Sequence, residues 1–130
     1  MKQELNDIIC NICEDDARYH EDAYEFILEA LYYTQRKYHL HKHVTGKELL
    51  EGMKILLMER FGPMTLTVLR HWGIKGTEDF GNIVFILVER KVLSKTEEDN
   101  IESFKNVYDF EQVFNKGYRR GLNKKISRLR

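Results

Sequence analysis

Apolar side chains recur at helical spacing along most of this sequence, and that period constrains the fold more than any other feature. Between residues 20 and 38, Tyr24, Ile27, Leu28, Leu31 and Gln35 keep to one helical stripe. Acids lead the segment, and Arg36 and Lys37 trail it, a charge order that complements a helix dipole. Residues 2–14 carry a shorter version in Leu5, Ile8, Ile9 and Ile12. Thr45 and Glu48 stand at capping-box spacing ahead of Leu49, Leu50, Met53, Leu56 and Leu57, and Gly62 is placed to end that helix. Pro63 suits the first turn of a short helix carrying Leu66, Val68, Leu69 and Trp72. Thr77 reads as the cap of a further helix with Glu78 and Asp79 in its first turn. That helix is apolar on nearly all sides, from Phe80 through the run Ile83 to Val88, and needs cover around most of its circumference.

A chain of 130 residues with 42% hydrophobic and 32% charged residues is the size and composition of one folded domain. The expected fold is mainly α: a single helical domain over residues 1–115, with a small antiparallel hairpin. Its strands are expected at Val92 to Lys95 and Phe104 to Asp109, around the polar segment TEEDNIES. Asp109 could cap a last short helix with Phe110, Val113 and Phe114. Helix, turn, apolar helix and hairpin over about residues 47–110 follow the order of a winged-helix unit. Residues 116–130 form a basic tail.

The formal net charge is zero but unevenly spread. Seven of the 21 basic residues lie in residues 116–130, which hold no acid. The rest of the chain keeps 14 basic against 21 acidic groups, a net of −7. This excludes a uniformly basic nucleic-acid binder and leaves a local one open. In the tail, Arg119, Arg120, Lys124, Lys125, Arg128 and Arg130 accompany Tyr118, which could stack on an exposed base. The expected recognition helix of a winged-helix unit is a poor reader. Glu78 and Asp79 would meet phosphates, and Val84, Phe85 and Ile86 stand where hydrogen-bonding readers are needed. The wing would carry Glu97, Glu98, Asp99 and Glu102, which phosphates repel. No apolar stretch reaches membrane-spanning length and no targeting segment is visible, so no membrane insertion is expected and the cytoplasm is the expected location.

Cys10 and Cys13 form C-x-x-C, and with His39, His41 and His43 they are weak candidates for metal ligands. Their spacing matches no common zinc module, and two small apolar side chains on a helix explain the cysteines as well. His20 and His71, with Asp15, Asp16, Glu21 and Asp22, offer an acid–base cluster, since carboxylates tune a nearby imidazole. No nucleophile in a catalytic setting and no phosphate-binding loop accompanies them, so no cofactor and no enzymatic activity are expected. Tyr32 and Tyr33 are adjacent, so both cannot centre one buried stripe. With Phe85 they are the candidates for a protein-binding surface, a use that suits a large ring with a polar tip.

Seven linked blocks resemble a family. They are Val44-Thr45-Gly46-Lys47-Glu48-Leu49-Leu50-Glu51-Gly52, Phe61-Gly62-Pro63-Met64-Thr65-Leu66-Thr67-Val68-Leu69, Trp72-Gly73-Ile74, Glu78-Asp79-Phe80-Gly81, Ile83-Val84-Phe85, Lys95-Thr96-Glu97 and Tyr108-Asp109-Phe110-Glu111. Together they look like a family of uncharacterised conserved bacterial proteins of about this length, over roughly residues 16–115. The resemblance implies a bacterial, cytosolic protein and transfers no site residue. The expected function is a non-enzymatic interaction module whose partner is another macromolecule, protein first. The alternative is a nucleic-acid-associated regulator using the basic tail, and a small metal-dependent enzyme comes third.

Overall fold

Five helices carry the fold, seen in a computed structural model that describes residues 2–37, 44–93 and 101–116. They are α1 (Lys2–Asp15), α2 (Glu21–Lys37), α3 (Gly46–Phe61), α4 (Thr65–His71) and α5 (Thr77–Glu89). Residues 101–116 add a 3-10 turn at Ile101–Phe104 and a π-type turn at Glu111–Lys116.

Local chemistry sets most helix ends. The Thr45 hydroxyl accepts the Glu48 amide at 3.2 Å, and the Glu48 carboxylate accepts the Thr45 amide at 2.9 Å, completing the capping box. Gly62 stops α3 with φ 47°, in the left-handed region that favours glycine. Pro63 then enters the 3-10 turn Gly62–Met64 that leads into α4. After α4, Gly73 takes φ 83°, and a Cβ there would strike the Arg18 carbonyl. At the start of α2, Nδ1 of His20 accepts the Asp22 amide at 3.1 Å, while the His20 amide donates to the Trp72 carbonyl at 3.1 Å. One residue thus caps α2 and ties its start to the end of α4.

The inner faces meet as the period requires. Tyr24, Ile27 and Ala30 of α2 and Leu50, Met53 and Leu57 of α3 are fully buried, joined by Phe80, Ile83 and Leu87 of α5. Each large apolar side chain taken from water contributes about 1.5–3 kcal/mol before the entropy of ordering it. Helices α2 and α3 approach closely at Gly52, where a Cβ would collide with the buried Thr34 hydroxyl. That hydroxyl donates to the Ala30 carbonyl at 2.7 Å.

Two expectations are corrected. Thr77 does not cap α5. It is the first helical residue, and Asp79 serves the helix start instead, accepting the Lys75 amide at 2.7 Å and the Gly76 amide at 3.3 Å. The hairpin is also absent, because no strand occurs among the described residues. Lys91 turns left-handed at φ 61°, and the amides of Val92 and Leu93 both fold back onto the Leu87 carbonyl. On the other expected strand, the Phe104 carbonyl accepts the Thr77 hydroxyl at 2.5 Å, and the Val107 amide donates to the Thr77 Oγ1 at 3.1 Å. Backbone groups that a ladder would pair are therefore taken up in helix capping and by one threonine. Lys95 and, of the expected wing tip, Glu97, Glu98 and Asp99 lie outside the described residues, while Glu102 falls in the 3-10 turn Ile101–Phe104. Without a hairpin the winged-helix-like half falls, and the class that stands is mainly α.

Candidate docking surface

The outer face of α2 is exposed at Asp22, Glu25, Glu29, Tyr32 and Arg36, a run spaced 3, 4, 3 and 4. Tyr32, 62% exposed, is the most exposed large hydrophobic residue among those described. Its ring lies with Leu5 of α1, Leu28 and Tyr33 of α2 and Leu56 of α3 in an open groove of about 1040 Å³. Cations rim this groove. The Arg36 guanidinium sits 5.7 Å from the Tyr32 ring centre and the Lys37 ammonium 5.9 Å from that of Tyr33. Arg60 reaches across from α3 to pair with Glu29 at 2.6 Å.

That ion pair also borders a second groove of about 540 Å³, toward the start of α2. Phe26, Phe61 and Trp72 line it, with Asp22, Glu25 and His71. The rings pack on one another, Phe26 and Trp72 at 5.3 Å and Phe61 and Trp72 at 5.7 Å between centres. The two grooves adjoin at the Glu29–Arg60 pair, and this divided trough follows α2 from an acidic to a basic end.

The other sequence candidates separate. Phe85 is half-buried, edge-on to Phe104 at 6.4 Å, and does not line the trough. Cys10 and Cys13 are free thiols on α1. Burial raises the Cys13 pKa, and Glu21, Cys10 and Asp16 add to the rise, so the thiolate is disfavoured. His39, His41 and His43 lie outside the described residues, as do Tyr118, Arg119, Arg120, Lys124, Lys125, Arg128 and Arg130. Among the described residues no group of three or more metal-type ligands is assembled. No helix among them is long and apolar enough to cross a membrane.

The acid–base cluster is only partly assembled. The His20 and His71 rings meet at a tilt of 41° with centres 4.9 Å apart, and the Asp22 carboxylate is 3.6 Å from His20 Nδ1. Asp15 pairs with Arg90 at 2.6 Å and Asp16 with Arg18 at 2.7 Å. The Arg18 guanidinium lowers the Asp16 pKa by hydrogen bonding. Sequence reasoning missed the Glu29–Arg60 pair, because nothing local says which α3 residue faces α2. The 3, 4, 3, 4 run of polar residues around Tyr32 was a readable signal for the exposed stripe.

No family model, curated protein or solved structure matches the chain. The functional reading rests on the geometry alone.

Proposed function

We propose that the chain is a non-enzymatic protein-docking module that receives its partner along the trough on α2, with Tyr32 as the central contact. The observation that carries this reading is an aromatic side chain 62% exposed, set among Leu5, Leu28 and Leu56 beneath a charged rim. An amphipathic ring surrounded by aliphatic wall and guanidinium groups has the composition of an interface centre. Fully solvated helix faces have no need of it.

The test is a photo-crosslinking amino acid in place of Tyr32, irradiated in living cells. The expected result is a discrete adduct with a protein, absent when the same probe replaces the exposed Glu78. No adduct from position 32 overturns the reading. A Tyr32→Ala chain should meanwhile stay within about 0.5 kcal/mol of normal stability, as for an exposed site.

A further inference from the structure

We propose that the partner on this face is a second copy of the same chain, with α2 packed antiparallel on α2 about a two-fold axis. This inference rests on the docking reading above. The argument is one of charge order. The exposed stripe runs from Asp22 and Glu25, through Glu29 and Tyr32, to Arg36, with Lys37 beside it. A two-fold interface uses one patch twice, so every contact occurs in duplicate. Antiparallel packing brings the acidic end of each stripe against the basic end of the other, at both ends at once. Parallel packing sets like against like.

Placing Glu25 of one copy opposite Arg36 of the other fixes the register. It sets Leu28 opposite Tyr33 and Tyr32 opposite Glu29, and the axis crosses the exposed face between Glu29 and Tyr32. Glu25 has no ion-pair partner among the described residues, and Arg36 touches only the Tyr32 ring there. Both charges are thus available for a partner. Glu29 lies near the middle, where its own Arg60 holds it at 2.6 Å, so the two copies do not bring bare carboxylates together.

Helix α2 has 17 residues. It is about 25 Å long, enough for a small interface only, where a standard one takes about 800 Å² from each partner. A weak dimer, in the micromolar range, is the expected consequence.

Sedimentation of the full chain from about 1 to 300 µM, the range suited to such an interface, reads the mass directly. The expected result is a shift from 15.6 kDa toward twice that mass. Glu25→Arg and Arg36→Glu should each weaken self-association about tenfold, because each creates two like-charge contacts by symmetry. Mixed in equal amounts, the two variants should associate within about threefold of the normal chain, since both contacts then join opposite charges. Circular dichroism checks that each variant folds, and Tyr32→Asp, also expected to abolish the dimer, serves if either does not. A chain that stays at 15.6 kDa throughout, or a mixture no tighter than its components, overturns the proposal. If that monomer still yields a position-32 adduct with a different protein, the docking reading survives and the second copy is excluded. A monomer with no adduct overturns both.

Discussion

Helices α2 and α5 both bury an inner face in the same core, but their remaining surfaces are handled in opposite ways. The outward stripe of α2 is charged at both ends and meets water. The outward residues of α5, Val84, Phe85 and Ile86, are apolar and half-buried. Residues 101–110 cover part of α5, and residues 111–116 pack on α4 and the Gly62–Met64 turn. Phe104 lies so close that a Cβ on Gly81 would sit 2.7 Å from its Cβ. Phe110 packs on Phe80 at 5.6 Å, and Phe114 on Phe110 at 5.6 Å. The Tyr108 hydroxyl anchors this cover to the Leu50 carbonyl of α3 at 2.9 Å. A helix apolar over most of its circumference thus obliges the chain to provide a lid from its own length. A helix with a charged stripe leaves a face open to other molecules.

Phe104→Ala gives the hardest test of this contrast, with an expected loss of about 3–5 kcal/mol in chemical denaturation. A cost as small as that of Tyr32→Ala would mean that residues 101–116 are not part of the core. Gly81→Ala should cost about 2–3 kcal/mol by overpacking. Combined with Phe104→Gly it should cost much less, because the Cβ and the ring it would meet have both gone. Full additivity in that cycle would contradict the contact. Thr77→Val should lose about 2 kcal/mol, since it leaves the Phe104 carbonyl and the Val107 amide without their partner. Amide exchange at Val107 should speed up alongside.

The α2 side has a pH signature. Burial, the largest cause, pushes Tyr19 and Tyr24 up to about 12, with the hydrogen bond to Asp79 adding to the rise at Tyr19. An unfolded tyrosine titrates near about 10. The folded chain therefore holds more protons between these values, so stability is full below pH ~10 and falls as pH rises toward ~12. Tyr24→Phe should flatten part of this slope in denaturation series across that range. At neutral pH it should be neutral or stabilising by up to about 1 kcal/mol, because the buried Tyr24 hydroxyl has no hydrogen-bond partner among the described residues.

The sequence was most readable where the deciding interaction is local. The Thr45–Glu48 box, the stop at Gly62 and the inner stripe of α2 each need only residues three or four apart. Asp109 also caps as expected, its carboxylate accepting the Gln112 amide at 3.0 Å. The hairpin was misread because two short segments with apolar residues, 92–95 and 104–109, flank a polar stretch as the strands of a hairpin would. What prevents a strand is Thr77, 27 residues before Phe104 and 30 before Val107. No local pattern announces that bond. The exposed face of α2 was half legible. Adjacent tyrosines on a helix must point apart, but the trough also needs Arg60 and Leu56, placed by the α2–α3 approach at Gly52.

The lid over α5 has a consequence for synthesis. A ribosome makes α5 before residues 101–116, so its apolar outer residues emerge with nothing from this chain to shield them. Five helices can be complete while the core still lacks Phe104, Phe110 and Phe114. Folding of this chain is therefore held open until its last aromatic cluster clears the exit tunnel. During that interval α5 is the segment most exposed to chaperones and to aggregation.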